Sequence, residues 1–125
     1  MKLNADCIRS VLLELEKIPY GQSLRPQSLY SSLKTFDEND INYSVIMLKE
    51  AGFIDAVIVE SDDRSILRFV VNDITWDGHQ FLNNVRELSV WEKAKDKCSK
   101  IGSLSIPLLS DVTSAIISSL ITSQL

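Results

Sequence analysis

The chain has 125 residues, of which 45% are hydrophobic and 24% charged, which excludes a disordered chain and fits one globular domain with a hydrophobic core. The 13 Lys and Arg residues are outnumbered by 17 Asp and Glu residues, so the formal net charge is -4, and the acidic excess lies before Trp76. The chain is therefore not a uniformly basic nucleic-acid binder. Any phosphate contacts would have to come from a local patch of Lys and Arg residues.

The start of the chain predicts a cytoplasmic protein. Asp6, Arg9 and Glu14 interrupt the first apolar run, so this run lacks the pattern of a signal peptide. Cys7 and Cys98 are far apart and each falls in a predicted helix. Their placement favours reduced packing residues over a disulfide.

Apolar residues at spacings of three and four predict a first helix that begins at Asn4 or Ala5 and ends before Pro19. Tyr20–Leu24 is predicted as a turn and a short strand, which would be the first strand of a three-stranded sheet. Pro26 then begins a second helix, because its missing N–H group would have no helical partner in a first turn. The inward positions of these two helices are Ile8, Val11, Leu12, Leu15, Leu29 and Leu33.

The third helix, from Asp37 to Gly52, is marked at both ends. Asp37 can cap its first turn, and Gly52 supplies the left-handed residue that stops it. Helical periodicity places Ile41, Val45 and Leu48 on one buried arc. The opposite arc is polar, partly apolar and acidic, has no Arg, and holds Asn39, Asp40, Asn42, Tyr43, Ile46, Met47 and Glu50.

Two β-rich runs, Phe53–Glu60 and Ile66–Asn72, predict a hairpin whose tip carries Asp62 and Asp63 beside Arg64. Two carboxylates at this tip favour a solvated turn over a phosphate contact. The order of elements predicts an α+β, mostly helical fold, with a winged helix-turn-helix core of three helices and a small antiparallel sheet, followed by C-terminal helices. We predict a winged-helix domain over residues 1–75 and a helical extension, for packing or dimerisation, over residues 76–125.

Three stretches of the chain form recognisable motifs: MKLNADCIRSVLLELE at the start, LKEAGFIDA around Gly52, and ITWDGHQFLNNVRELSVWEKAK from Ile74 to Lys95. Together they resemble a family of uncharacterised phage and prophage proteins. One departure lies at Ser44, where members of that family often carry His. The resemblance implies a small protein with a winged-helix core and a phage or prophage setting, but no mechanism. The residues that match the family pattern are Gly78, His79, Phe81, Leu82, Arg86 and Trp91.

The part of the chain after the hairpin predicts further helices. Thr75 or Asp77 caps the first of them, whose apolar face runs from Phe81 to Leu88. A second helical segment, Val90–Lys100, carries four lysines interleaved with acidic residues, which favours a solvated face over a patch that follows phosphates.

The tail, Ile106–Leu125, has ten apolar residues, seven Ser or Thr residues and a single charge at Asp111. Such a composition makes membrane insertion marginal, so we predict no membrane contact and a packing helix. A helix of this kind lies back on its own domain or pairs with a second copy. We hypothesise a homodimer through the face formed by Leu109, Val112, Ile116 and Leu120.

Catalysis has little support, so we predict that the protein is not an enzyme. His79 is the single histidine and falls in a first helical turn, where a structural role outweighs a catalytic one. One His and two distant Cys residues are too few for a usual zinc site, and the four isolated glycines form no phosphate-binding loop. We predict no cofactor and no metal ion.

Two functions remain open. The first is a regulator that binds double-stranded DNA, which rests on the analogy of fold. The second is an acidic winged-helix module that binds a protein partner, which the net charge favours. The base-reading residues of the first would be Asn39, Asn42 and Tyr43, and its phosphate contacts Arg25, Lys34, Lys49, Arg64 and Arg68. The apolar patch of the second would be Tyr43, Ile46 and Met47.

Overall fold

A computed structural model describes residues 2–60, 67–102 and 105–123, and the chain divides into two compact units, Met1–His79 and Gln80–Leu125. These described ranges form six helices and a two-stranded antiparallel sheet. The predicted α+β, mostly helical class is therefore confirmed. The predicted division at residue 75 into a winged-helix domain and an extension stays a prediction.

Three helices build most of the first unit: α1 (Ala5–Glu16), α2 (Pro26–Ser32) and α3 (Glu38–Glu50). The side chain of Asn4 caps α1 by accepting the Cys7 N–H group at 3.1 Å. Proline stands in the first turn of α2, as the sequence predicted. The predicted inward faces are confirmed, because α1 packs against α3 and the inward side chains of both helices are buried, among them Ile8, Val11, Leu12, Ile41, Val45 and Leu48.

Both ends of α3 are built as the sequence predicted. The Asp37 carboxylate accepts the Asn39 N–H group at 2.7 Å. At the other end, Gly52 has a positive φ of 79°. The Gly52 N–H group donates to Lys49 O and the Phe53 N–H group donates to Leu48 O, both at 3.0 Å, which is the Schellman pattern of helix termination. This turn feeds the chain directly into the hairpin.

The hairpin consists of β1 (Ile54–Glu60) and β2 (Leu67–Ile74). Ala56 pairs with Val71 and lies on the buried face, whereas the next pair, Val57 with Val70, lies on the outer face. The pairing shifts register between Asp55 and Ala56.

The first strand predicted within Tyr20–Leu24 is reduced to a single bridge in the described structure. Leu24 donates to Val71 O at 2.8 Å and accepts from the Val71 N–H group at 2.9 Å. The segment cannot extend further as a strand, because Gly21 turns the chain with a φ of 83° and Pro26, which has no N–H group to donate, begins α2.

The fourth helix, α4 (Trp76–Val85), begins at a close junction with the end of α3. The Thr75 hydroxyl accepts the Gly78 N–H group at 3.1 Å, which confirms Thr75 as the predicted cap, and donates to Gly52 O at 2.6 Å. The Thr75 N–H group donates to Phe53 O at 3.0 Å. A Cβ atom on Gly78 would lie 2.0 Å from that same carbonyl oxygen, so this position requires glycine.

The second unit contains α5 (Leu88–Ile101) and α6 (Ile106–Ser123), which pack against each other. The predicted apolar face of α4 is wrong at Leu88, because Glu87 adopts an extended conformation that ends one helix and begins the next, and Leu88 is exposed. Gly102 ends α5 with a φ of 84°. In the described parts of the chain, no helix combines the length and apolarity that a membrane span needs.

Candidate functional site

An open groove of about 560 Å³ lies on the first unit, between the start of α2 and the hairpin. The Leu24–Val71 bridge creates it, because this bridge holds the segment that enters α2 alongside β2. Val70 therefore becomes a neighbour of residues more than forty positions earlier in the chain. The groove is lined by Arg25, Pro26, Gln27, Tyr30, Val57, Val59, Arg68, Phe69 and Val70.

The groove is positively charged although the chain as a whole is acidic. Arg25 and Arg68 both line it and both are exposed to solvent. The described lining residues include no carboxylate, whereas the whole chain has a formal net charge of -4. Two guanidinium groups in a lining whose described residues carry no carboxylate make this groove a place where an anionic ligand is favoured.

The same groove has an apolar side formed by β1. Val57 and Val59 are 57% and 58% exposed, and they face outward because strand residues two apart share one face of the sheet. Their partners across the hairpin are Val70 and Arg68. Aliphatic groups and a guanidinium group therefore lie side by side on one surface.

Tyr30 connects the groove to the outer arc of α3. Its hydroxyl donates a hydrogen bond to Asn42 Oδ1. Burial raises the pKa of Tyr30, so the hydroxyl keeps its proton well above neutral pH and remains a donor. Asn42 is one of the residues predicted to read bases. Its side-chain oxygen is thus already hydrogen-bonded, and the orientation of its side chain is fixed.

The structure brings together only some of the residues that the sequence singled out for DNA binding. Arg25 and Arg68 share the groove, and Asn42 is joined to it through Tyr30. The other described candidates lie outside the lining of the groove: Lys34, Asn39 and Lys49 are exposed, and Tyr43 is half-buried. Arg64 falls outside the described residues.

The predicted protein-contact patch of Tyr43, Ile46 and Met47 is half-buried at all three positions. Asp37 and Glu38 are exposed at the first turn of α3, so that end of the outer arc is negatively charged. A phosphate group would therefore meet repulsion at the first turn of α3 and attraction at the groove.

Sequence reasoning missed several residues of the groove, among them Tyr30, Val57 and Val59. The exposed valines could have been predicted from the sequence. A strand with one solvated face should alternate apolar with polar residues, whereas the run IDAVIVE carries apolar residues on both faces. The role of Tyr30 had no such signal, because its bond to Asn42 depends on how α2 packs against α3.

The face of α6 that was predicted to form a dimer is largely used inside the second unit. Leu109 and Ile116 are buried, and Ile116 packs with Val90 and Ala94 of α5. Leu120 is 41% exposed. Val112 also packs against this cluster, so of the four predicted residues Leu120 alone is exposed.

His79 lies at a second, smaller cavity of about 190 Å³, together with Tyr20, Asp73 and Asn72 among others. The imidazole is exposed in the first turn of α4.

Within residues 2–60, 67–102 and 105–123, no three His, Cys, Asp or Glu side chains form a group that could hold a metal ion. Cys7 and Cys98 are free thiols, each buried, as the sequence predicted.

Comparison with known proteins identifies the family. A family model described as Hypothetical protein (DUF2513) matches residues 2–105. The chain belongs to this family. An uncharacterized protein of Haemophilus influenzae is 33% identical over 122 residues, which cover 97% of this chain and 99% of that relative. No solved structure matches the chain.

The match to the DUF2513 family contains the groove, the α3–β1 turn and the Thr75–Gly78 junction, all of which lie within residues 2–105. It ends just before α6, which begins at Ile106. The alignment with the Haemophilus influenzae relative is longer and covers nearly the whole chain.

Proposed function

We propose that this protein is a DNA-binding winged-helix protein that acts as a transcriptional regulator in a phage or prophage. The observation that carries the proposal is the convergence of Arg25 and Arg68 in one groove that has no carboxylate among its described lining residues. An acidic protein can bind duplex DNA only through such a local patch. The resemblance to phage and prophage proteins supports the proposed genomic setting.

The winged-helix assignment is supported by the order of elements in the first unit. Three helices precede a two-stranded hairpin, and α3 runs into that hairpin through its Schellman turn. Leu24 bridges β2 where the first strand of a winged-helix sheet would pair. In this arrangement α3 is the recognition helix and the hairpin is the wing.

The proposed complex divides the contacts between two surfaces. The groove arginines neutralise phosphates, and the middle of α3 faces the bases with Asn42 and Tyr43. Asn42 retains its amide N–H groups as donors, because its oxygen already accepts from Tyr30. Asn39 extends the reading surface, and Lys34, Lys49 and Arg64 are the further phosphate contacts that the proposal includes.

In this proposal the protein binds DNA in the cytoplasm and catalyses no reaction. The test is a salt series of fluorescence anisotropy on a labelled duplex of random sequence. We expect binding at about 50 mM salt and a steep fall of the affinity as salt rises, because neutralised phosphates release counterions. Lack of measurable binding at about 50 mM salt would remove the proposal.

A second candidate, binding of a protein partner, is favoured by the exposed valines of the groove. Val57 and Val59 offer aliphatic surface that phosphate contacts do not use.

We further propose that the protein is a homodimer through the exposed end of α6, where Leu120 is 41% and Ile121 58% exposed.

A further inference from the structure

We infer that the groove between α2 and the hairpin binds a short acidic and apolar peptide segment of a partner protein. Carboxylates of this segment pair with Arg25 and Arg68, and its aliphatic side chains cover Val57 and Val59. The peptide site stands without the proposed DNA binding. One consequence does rest on that proposed function: the peptide and DNA compete for the same two arginines.

The outer face of the hairpin carries an exposed apolar surface. A solvated sheet face normally carries polar residues, yet Val57 and Val59 are each more than half exposed at successive outward positions of β1. Val70 stands directly opposite Val57 and also lines the groove. These three side chains make a continuous aliphatic strip, which gains free energy when an apolar ligand removes it from water.

Two arginine side chains flank this aliphatic strip. Arg68 is the cross-strand partner of Val59, so a guanidinium group adjoins the valines on β2. Arg25 supplies a second one from the segment before α2. Guanidinium groups bind carboxylates through two parallel hydrogen bonds, which fixes the position of a ligand as well as its charge.

Charge and apolarity together select the occupant. A basic peptide would be repelled by the two arginines, and a purely polar acidic peptide would leave the valine strip in water. A ligand with alternating carboxylate and aliphatic side chains satisfies both halves of the groove. Gln27 and the pyrrolidine of Pro26 complete the wall on the side of α2, where they provide a side-chain amide and further apolar surface.

The probe is a short fluorescein-labelled peptide in which Glu alternates with Leu, titrated with the full-length protein and followed by anisotropy. Two control peptides carry Lys in place of Glu, or Ser in place of Leu. We expect the Glu/Leu peptide to bind and both control peptides to bind at least tenfold more weakly. Equal binding of the Glu/Ser peptide would overturn the inference, because the valine strip would then contribute nothing.

The decisive variant is Val57→Thr with Val59→Thr. Threonine keeps the β-branched shape that strands prefer and adds a hydroxyl group, so the hairpin should fold, which circular dichroism checks. We expect about a tenfold loss of affinity for the Glu/Leu peptide. The matched control is Leu88→Thr, which changes an exposed aliphatic side chain at the start of α5 and should leave peptide affinity unchanged.

Parallel titrations with DNA separate this inference from the proposed function. The valine variant should bind DNA as the unchanged protein does, whereas Arg25→Ala with Arg68→Ala should lose both ligands. Peptide binding that depends on the valines, in a protein that does not bind DNA, would uphold the peptide site and remove the proposed function. Unchanged peptide affinity in the valine variant would overturn the inference whatever the result with DNA.

Discussion

At the scale of single residues, Gly78 sets how closely α4 approaches the end of α3. Its missing side chain leaves room for the Phe53 carbonyl, which would lie 2.0 Å from an added Cβ atom, and for the Ile74 side chain at 2.7 Å. The Thr75 hydroxyl holds the same junction by accepting from Gly78 and donating to Gly52. The start of α4 is thus fixed against the turn from which the hairpin emerges.

Substitution of Gly78 by Ala should destabilise the protein by about 2–3 kcal/mol, because the obstructing atom belongs to the backbone and cannot rotate away. The sign of the effect is informative, since Ala in an unobstructed helix would be stabilising by about 1 kcal/mol relative to Gly. Urea unfolding measures the difference. The control is Gln80→Ala at an exposed position of the same helix, where the change should stay within about 0.5 kcal/mol.

At the scale of elements, α6 packs inside the second unit over part of its length and exposes aliphatic side chains near its end. Ile116 is 8% exposed and packs on Val90 and Ala94, whereas Leu120 and Ile121 are exposed near the end of the helix. The same helix therefore contributes to the core of its own unit and exposes two aliphatic side chains near its end.

Two variants of α6 should have opposite effects. Ile116→Ala should lower the free energy of unfolding by about 2–4 kcal/mol, because a buried aliphatic side chain is lost, and should leave the molar mass unchanged. Leu120→Asp with Ile121→Asp should convert the proposed dimer to a monomer without a comparable loss of stability. Light scattering and urea unfolding together test this, and a full-length protein that is already monomeric would contradict the dimer.

The elements also show what the sequence could and could not reveal. The caps and the buried arc of α3 were predictable, because Asp37, Gly52 and the apolar spacing act within a few residues of each other. The proximity of Arg25 and Arg68 was not, because it depends on the long-range pairing of Leu24 with Val71. The end of α4 before Leu88 was missed because no Gly or Pro marks it.

At the scale of the whole molecule, each unit buries one thiol. Burial raises the pKa of Cys7, the Ser44 hydrogen bond lowers it to a smaller extent, and the charge of Asp40 raises it further. Burial likewise raises the pKa of Cys98. Both groups hold their protons more tightly in the folded protein than in the unfolded chain. Their contribution to stability is therefore complete below the ordinary thiol pKa of 9.0 and is lost as pH rises above it.

The free energy of unfolding should accordingly fall more steeply, as the pH rises above 9.0, in the unchanged protein than in a variant with Cys7→Ala and Cys98→Ala. Urea unfolding at a series of pH values, under reducing conditions, gives both curves. Parallel curves for the two proteins would show that the buried thiols do not contribute to the alkaline loss of stability.

The central claim is that Arg25 and Arg68 act together as a phosphate-binding site, and the salt dependence of DNA binding tests it most directly. The variant Arg25→Ala with Arg68→Ala is compared with Lys93→Ala and Lys97→Ala, which removes two exposed positive charges from α5. We predict that the groove variant loses about two units from the slope of log affinity against log salt, because about 0.9 unit is lost for each phosphate contact removed. The lysine variant should keep the slope of the unchanged protein. Equal slopes for the two variants would contradict the claim.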